Sequence, residues 1–344
     1  MNVWILLGWI LGLTWGIGGS RSTWNTFAFV GEVPRSTWIQ FDWNKLTTVT
    51  VVGDWNYTEI TDYAHAHQTR LVKIGNIATD KLNDEEYIRQ WVQYQLTTVQ
   101  SLNMDGINVD FEDELATDSP ESHGLVFLMT ELNRVFHEAR PDYEVSIDVA
   151  WSADCIDKRC YDYKALADQA DLVFVMAYDI QSQIWGNPRC QAKANSPINQ
   201  TQMGLDTYTD LGIPRDKLVL GLPWYGYLYP CQVLLTSTCV IDSVPFRDCP
   251  CSDAAGRQWT YKDMMSIADN HTATFQWDSW SQTPFFNYYD HGTWYQAWFD
   301  HPDSLSLKYN LATQMGLGGV GMWSADFLDY DNPIQVQTWW SALP

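Results

Sequence analysis

A short acidic stretch, residues 104–112, constrains the fold of this chain more than any other feature. Three apolar residues alternate in it with three polar ones, namely Ile107, Val109 and Phe111 with Asn108, Asp110 and Glu112. Side chains of a strand point alternately to its two faces, so the three polar side chains share one face. Such a face suits the interior of a barrel near its mouth, because the last carboxyl then emerges at the carboxyl end of the strand, where barrel enzymes place their catalytic groups.

Two other interpretations of this stretch stay open on the sequence alone. It could be a solvated edge strand followed by the acidic loop residues Asp113 and Glu114. It could also bind a divalent cation, since carboxylates at alternate positions suit hard cations, although three ligands are few for a calcium loop. The spacing favours catalysis, with Glu112 as the central candidate.

Strand-like and helix-like segments alternate along most of the chain. Apolar or β-branched segments predict eight strands, at residues 24–30, 46–53, 70–74, 104–112, 145–151, 172–178, 217–224 and 318–324. Helices are predicted between and after them, at residues 58–69, 84–101, 118–139, 161–169, 200–211, 303–315 and 333–343. This order predicts a parallel sheet with right-handed crossovers, and eight strands predict an α/β fold, the (β/α)8 TIM barrel.

One interval, between predicted strands 7 and 8, breaks this order. Residues 226–302 contain four of the seven Cys, many aromatic residues and one clear helix, at 261–268. An interval of this length needs structure of its own, so we predict a small α+β insertion over the barrel mouth. The predicted domains are a signal peptide at 1–20 and a barrel at 21–344 that carries this insertion.

The beginning of the chain and three sequons indicate the secretory route. Residues 2–17 are apolar and rich in Trp and Leu, and small residues follow. This predicts a signal peptide, although the basic n-region is missing; a membrane anchor is the alternative, but the apolar run is short for a span. Asn56, Asn199 and Asn270 each open an Asn-x-Thr glycosylation sequon.

The seven cysteines all follow residue 150 and fit an oxidising compartment. Cys155 and Cys160 are close enough for a local bridge, and a bridge between Cys231 and Cys239 could close a hairpin. Cys249 and Cys251 are too close to pair easily with each other. The odd number leaves at least one Cys free or paired between chains, and the connectivity as a whole stays open.

The charge balance limits the partners of the protein. Lys and Arg number 20 against 42 Asp and Glu, which gives −22 with His neutral. A nucleic-acid partner requires a basic surface, and anionic membranes or glycans would also be repelled, whereas a neutral sugar is compatible. Nineteen Trp fit a protein that stacks on sugar faces, although large cores use them too. The seven His show no His-x-x-x-His spacing, so we expect no catalytic metal and no cofactor.

Four motifs resemble those of glycoside hydrolase family 18, the chitinase-like hydrolases. The segment Asp105-Gly106-x-Asn108-x-Asp110-x-Glu112 is similar to the family signature Asp-Gly-x-Asp-x-Asp-x-Glu, with Asn108 in place of an Asp. The others are Met176-Ala177-Tyr178-Asp179, Gly221-Leu222-Pro223-Trp224-Tyr225-Gly226 and Gly321-Met322-Trp323. The resemblance runs from about residue 41 to the C-terminus. It departs at residues 73–76, where Lys-Ile-Gly-Asn stands in place of the family's Ser-x-Gly-Gly.

The resemblance implies retaining, substrate-assisted cleavage of a β-linked N-acetylglucosamine (GlcNAc), an exception among glycosidases, which mostly use two carboxylates. Glu112 would be the general acid and base, Asp110 would hold the acetamide N–H, and Tyr178 would bind the acetamide oxygen. The remaining substrate-binding candidates are Asp179, Trp323, Tyr225, Asn108 and Met176.

Several of these candidates also have a plain structural interpretation. Tyr178 could be a core residue and Asp179 a helix cap. Trp323 could pack in the core, and Tyr225 could merely hold its strand. Met176 fits packing better than a sugar contact.

Asn108 leads to a hypothesis about pH. Two Asp at this place and at Asp110 would repel each other and raise one pKa, whereas an Asn amide could donate to Asp110 and favour its ionised form. Activity at acidic pH would follow.

Together with the secretory features, the resemblance implies a lysosomal exo-glycosidase that cleaves the β-1,4 bond of GlcNAc-GlcNAc (chitobiose) in oligosaccharides from degraded N-glycoproteins. An extracellular location is the alternative. An endochitinase and a non-catalytic chitin-binding lectin are the alternative functions. We expect a monomer that binds GlcNAc oligosaccharides, and neither nucleic acid nor, after loss of the signal peptide, a membrane.

Overall fold

Eight parallel strands form a closed barrel in the computed structural model, which describes residues 24–53, 55–184 and 190–344. Going around the barrel, the first strand is followed by the last, then the seventh, and so back to the second. The barrel strands are β1 (Asn25–Val30), β2 (Thr48–Val51), β3 (Arg70–Gly75), β4 (Gly106–Val109), β5 (Glu144–Val149), β6 (Leu172–Met176), β7 (Leu218–Pro223) and β15 (Gly319–Trp323). The predicted fold class is confirmed, and the predicted signal peptide lies outside the described residues.

Helices connect the barrel strands and cover their outer side. They are α1 (Arg35–Trp38), α2 (Tyr57–Ala66), α3 (Glu85–Ser101), α4 (Pro120–Ala139), α5 (Tyr163–Gln169), α6 (Ile198–Asp210), α8 (Pro302–Met315) and α9 (Pro333–Ala342). The start of α4 is typical: the Ser119 side chain accepts from the backbone N–H of Ser122, and Pro120 occupies the first turn. The short α1 was not predicted, because four residues are too few to show a helical period.

Seven further strands and one α-helix lie between β7 and α8. They are β8 (Tyr225–Cys231), β9 (Val233–Leu235), β10 (Thr238–Val240), β11 (Arg257–Thr260), α7 (Tyr261–Asn270), β12 (Gln276–Asp278), β13 (Thr283–Asp290) and β14 (Thr293–Phe299). Five of the strands pair antiparallel in the order β11-β8-β14-β13-β12, and β9 pairs with β10. This is the α+β insertion that the fold prediction placed between strands 7 and 8.

Aromatic rings fill the centre of the barrel. The rings of Phe27, Phe29 and Phe174 lie 4.9 to 5.3 Å apart, measured between centroids. Two glycines make room for Phe174, since a Cβ on Gly221 or Gly321 would lie only 2.3 or 2.4 Å from its ring. The barrel interior is therefore a packed core, as is usual for this fold.

Three disulfides lie in and around the insertion. Both predicted local bridges, Cys155–Cys160 and Cys231–Cys239, are present. The third, Cys190–Cys251, spans 61 residues and ties the loop after β6 to the insertion. Cys249 is free and fully buried. Within the described ranges, no helix is long and apolar enough to cross a membrane.

Candidate active site

The side chains of the acidic stretch pass from the barrel interior to its mouth. The apolar residues Ile107 and Val109 are fully buried against the outer helices. On the other face Asn108 is fully buried, Asp110 is partly buried, and the Glu112 side chain is 46% exposed. This gradient places Glu112 where a ligand from solvent can reach it.

The strand itself is shorter than predicted. It ends at Val109 instead of Glu112, because its neighbour β3 ends at Gly75. The chain then turns outward, and the hydroxyl of Tyr161 donates to the backbone oxygens of Phe111 (3.3 Å) and Asp113 (2.6 Å). Glu112 therefore lies on a loop, and hydrogen bonds from the segment after β5 fix the backbone of that loop.

A cavity of about 240 Å³ opens at the carboxyl ends of β4, β5 and β6 and under the insertion. Its lining consists of Glu112, Ala150, Trp151, Ile156, Asp157, Arg159, Met176, Tyr178, Asp179, Ser182, Tyr227, Phe246, Asp253 and Ala254. Four of these residues are carboxylic acids, and Arg159 is the one cation among the described lining residues. Such a cavity favours a neutral ligand that is rich in hydrogen-bonding groups.

Arg159 forms an ion pair with Glu112, and its Nη2 lies 2.6 Å from Oε2. The Arg159 side chain is only 12% exposed. It belongs to the short loop that the Cys155–Cys160 disulfide closes.

Asp110 lies behind Glu112 and carries an oxygen, Oδ1, without a hydrogen-bond partner among the described groups. Burial and the neighbouring Glu112 raise the pKa of Asp110 to about 7, although Arg159 opposes this shift. Asp148 on β5 is fully buried, and burial followed by the charge of Asp110 raises its pKa well above the usual value. The barrel interior therefore holds two neighbouring carboxyls whose pKa values are both raised, and the charge of one opposes ionisation of the other.

The hypothesis that Asn108 donates to Asp110 is wrong. Its Nδ2 donates to Asp148 Oδ1 at 2.9 Å and to Ser146 Oγ at 3.3 Å. The reason is geometric: Asn108 pairs with Ser146 across the β4–β5 ladder, so its side chain lies beside those of β5. The pKa of Asp110 is raised, not lowered, and Asn108 acts on Asp148 instead, where its hydrogen bond opposes the effect of burial on the pKa.

Tyr178 and Asp179 both line the cavity, at the end of β6. Asp179 Oδ1 accepts from the hydroxyl of Tyr225 at 2.5 Å, and its backbone N–H donates to Asn195. Burial raises the pKa of Asp179 to about 6, while the hydroxyls of Tyr225 and Tyr227 oppose the shift. Tyr225 does not line the cavity and is only 1% exposed, so in this structure it positions Asp179.

Trp323 and Met176 lie at the top of the aromatic core. The ring of Trp323 packs 5.1 Å from that of Phe29 and is partly exposed at the end of β15. Met176 lines the cavity and also belongs to the apolar cluster of the barrel interior. The structure thus brings Glu112, Met176, Tyr178 and Asp179 to one cavity and places the other candidates around it.

Four residues of the site were missed in the sequence: Asp148, Asp157, Arg159 and Asp253. Burial, followed by the charge of Asp179, raises the pKa of Asp253 to about 8. A signal existed for Asp148, because Ser146 and Asp148 alternate with apolar residues on β5 as Asn108 and Asp110 do around β4. The other three lie on loops, where no period marks them.

The three predicted glycosylation residues, Asn56, Asn199 and Asn270, are exposed. Asn199 Nδ2 donates to the backbone oxygen of Trp280 at 2.8 Å. As for metals, the described part of the chain contains no group of three His, Cys, Asp or Glu residues arranged to hold an ion.

A barrel with acids at the carboxyl ends of its strands and a chitinase-like signature defines a class of sugar-cleaving enzymes. The model of the family "Glycosyl hydrolases family 18" matches residues 26–327, and the chain belongs to this family of glycoside hydrolases. Among relatives, it is 42% identical to the di-N-acetylchitobiase of Mus musculus over 92% of this chain and 87% of that protein. It is 40% identical to the di-N-acetylchitobiase of Homo sapiens over 92% of this chain and 83% of that protein.

Solved structures share the fold at lower identity. A class V chitinase from Nicotiana tobaccum is 17% identical with a TM-score of 0.70, covering 91% of this chain and 98% of that one. A chitinase from Chromobacterium violaceum is 18% identical with a TM-score of 0.69, covering 92% of this chain and 97% of that one.

Proposed function

We propose that this protein is an exo-glycosidase that hydrolyses the β-1,4 bond of chitobiose in oligosaccharides from degraded N-glycoproteins. The observation that carries the proposal is Glu112, a carboxyl at the carboxyl end of a barrel strand that opens into the acidic cavity. The alignment of the di-N-acetylchitobiases named above with 92% of the chain supports chitobiose as the substrate.

The proposed reaction uses the substrate's own acetamide as nucleophile. Glu112 donates a proton to the glycosidic oxygen, the bond from this oxygen to C1 breaks, and the acetamide oxygen bonds to C1 to give an oxazolinium ion. Water then attacks C1, the bond from C1 to the acetamide oxygen breaks and regenerates the acetamide, and the water gives its proton to Glu112, which restores the acid.

Asp110 would accept the acetamide N–H and balance the positive charge of the oxazolinium ion, and its position behind Glu112 supports this role. Tyr178 would donate to the acetamide oxygen. Burial raises its pKa well above the usual value, so its hydroxyl keeps its proton. Asp179, held by Tyr225, would accept from a sugar hydroxyl.

The size and closure of the cavity support a short substrate. Its volume, about 240 Å³, lies below the roughly 300–1,000 Å³ of sites for drug-sized ligands. Phe246 and Asp253 of the insertion cover one side, and the Cys190–Cys251 disulfide ties the insertion to the loop after β6. We propose a monomer working in the lysosome; the exposed sequon residues Asn56, Asn199 and Asn270 support the secretory route that leads there.

The test compares wild-type protein with Glu112→Gln on unreduced and borohydride-reduced GlcNAc oligomers at about pH 4.5, near the carboxyl range. Glu114→Gln is the matched control, because Glu114 lies on the same loop and also pairs with an arginine, Arg247, but does not line the cavity. We expect wild type and the control to release GlcNAc from unreduced oligomers, and Glu112→Gln to release none.

An enzyme that acts from the reducing end should release little GlcNAc from the reduced oligomers. Equal cleavage of reduced and unreduced oligomers would therefore contradict exo action at that end. If neither wild type nor Glu112→Gln cleaves but both bind the oligomers equally, the barrel is a lectin and the proposal is wrong.

A further inference from the structure

The ion pair between Arg159 and Glu112 conflicts with the proposed reaction of Glu112. A guanidinium in contact with a carboxyl favours its ionised form, whereas the reaction needs Glu112 to carry a proton. The 2.6 Å contact therefore describes the free enzyme, and it must loosen before Glu112 protonates a substrate.

Backbone hydrogen bonds between the two loops that carry Arg159 and Glu112 hold the two side chains close together. The Arg159 loop pairs with the Glu112 loop, since Leu115 N donates to Lys158 O and Cys160 N donates to Leu115 O, both at 3.1 Å. The Cys155–Cys160 disulfide closes the same loop. Both side chains are thus held on the same side of the cavity.

Arg159 has a donor left over for a ligand. Its Nε is buried and has no partner among the described groups, and its Nη2 is 3.8 Å from Asp157 Oδ2. A buried donor without a partner costs about 1–3 kcal/mol, which an acceptor oxygen in the cavity would remove. Hydroxyl and acetamide oxygens of a neutral sugar are acceptors of this kind, whereas an anionic sugar would be repelled by the acids of the lining.

We propose that Arg159 is a substrate-binding and positioning residue for the sugar that departs. In the free enzyme it holds Glu112; when the departing GlcNAc binds, its donors turn to oxygens of that sugar, and Glu112 is free to take a proton. We assign Arg159 to the departing sugar, and not to the sugar whose acetamide reacts, because Arg159 lies on the outer loop after β5. The groups proposed to bind the acetamide lie nearer the barrel centre. This inference rests on the proposed function.

The guanidinium also acts on the pH dependence. Charged and titratable groups surround the pair. They are Asp110 after β4, Asp148 on β5, Asp157 in the same loop, Tyr161 and Tyr163 just after that loop, Tyr178 and Asp179 after β6, and Tyr227, Arg247 and Asp253 in the insertion. Arg159 lowers the pKa of Asp110, against burial and Glu112. Removing its charge therefore raises the pKa of Asp110 and moves the acidic limb of the rate profile to higher pH.

The experiment measures kcat and KM on chitobiose between about pH 4 and 7 for wild type, Arg159→Ala and Arg159→Lys. Arg134→Ala is the control, because Arg134 is an exposed cation of α4 that pairs with Glu131 and Glu138 far from the cavity. We expect Arg159→Ala to raise KM at least tenfold and to move the acidic limb upward by about half a pH unit. Arg159→Lys keeps the charge without the forked donors. It should therefore leave the acidic limb of the rate profile at the wild-type pH and still raise KM. Added ethylguanidinium should partly restore Arg159→Ala.

Unchanged KM and pH limb in Arg159→Ala would overturn the inference while the proposed function stands. If Arg159→Ala does not fold, Arg159→Lys decides, and a wild-type KM in this variant overturns the inference. If wild type itself does not cleave chitobiose, the proposed function fails. The inference is then judged by calorimetric binding of GlcNAc oligomers, where equal affinity of wild type and Arg159→Lys overturns it.

Discussion

The carboxylates at the two ends of β4 differ in how many hydrogen-bond and ion-pair partners they have. Just before the strand, Asp105 accepts from His65 Nε2 (2.8 Å), Leu71 N (2.9 Å) and Arg140 Nη2 (2.9 Å). Just after it, Asp110 has an oxygen without a partner among the described groups. In barrels of this type the amino-terminal face serves stability and the carboxyl-terminal face serves chemistry. Here the difference appears within six residues of one strand.

Cavity size does not separate the two ends. The cavity at the amino-terminal end has about 470 Å³, against about 240 Å³ at the carboxyl-terminal end. Two of its acids have partners: Asp171 accepts from Val145 N at 2.8 Å, and Glu144 Oε2 accepts from Thr48 at 2.8 Å and lies 3.5 Å from Arg70, while Glu144 Oε1 has no partner among the described groups. What distinguishes the candidate active site is a set of three acids, Asp110, Asp179 and Asp253, whose pKa values burial raises.

The sharpest test applies the same change, Asp to Asn, at the two ends of β4. For Asp110→Asn we expect kcat/KM to fall by about 10²–10³, the usual loss when a group that stabilises transition-state charge is removed. Thermal stability should stay the same or rise, because a buried carboxyl without full pairing is removed. Steady-state kinetics and a melting curve of the same preparation measure both. Full activity would show that the unpaired oxygen has no part in the reaction.

For Asp105→Asn the expected effects are reversed. Asp105 loses its charge between Arg140 and His65, and its side chain is only 13% exposed. We expect the free energy of unfolding to drop by about 3 kcal/mol, as when one partner of a buried pair is removed, and kcat of the folded enzyme to stay unchanged. Urea unfolding measures the first and active-site titration the second. A loss of kcat without a loss of stability would abolish the distinction between the ends.

Glu144→Gln examines a buried acid of the amino-terminal end whose Oε1 has no partner among the described groups. Burial raises the pKa of Glu144 to about 7, although Arg70 and Thr48 oppose the shift. The folded protein thus holds a proton that the unfolded chain releases near pH 4.5. Stability is highest below that pH and falls as pH rises to about 7, by on the order of 3 kcal/mol for this group. We expect Glu144→Gln to flatten the decline, as measured by unfolding at about pH 5 and pH 8; an equally steep decline would contradict the assignment to Glu144.

Asn108→Asp brings the smallest change, about one unit in the pH profile. It replaces the donor to Asp148 with a second buried carboxyl, and like charges raise the pKa of the pair. We expect the acidic limb of kcat/KM to move to higher pH. Ser146→Ala is the control, because it removes the 3.3 Å acceptor of Asn108 without adding a carboxyl. The hypothesis that residue 108 sets the pH range fails if Asn108→Asp gives the same profile as wild type and the control.

The elements that the sequence predicted well are those with a local period. The alternation around Asn108 and Asp110 placed the acidic face inside a barrel, and the strand–helix order predicted eight strands. Arg159 could not be found in this way, because it reaches Glu112 only through the pairing of two loops 44 residues apart at Leu115 and Arg159. Asp253 depends likewise on the long-range disulfide Cys190–Cys251 and on where the insertion lies. Contacts of this kind leave no pattern in the neighbouring residues.

The free thiol of Cys249 can report on opening of the part of the insertion that covers the cavity. Its backbone exchanges two 2.9 Å hydrogen bonds with Phe246, which lines the cavity, and its side chain is 0% exposed. The other cysteines are bound in disulfides, so an alkylating reagent has a single target, and it can reach that target only when this part of the insertion opens. The rate of alkylation in the native protein therefore reports how often this part of the insertion opens. Slower alkylation with a bound oligosaccharide would measure how much the sugar stabilises the closed insertion.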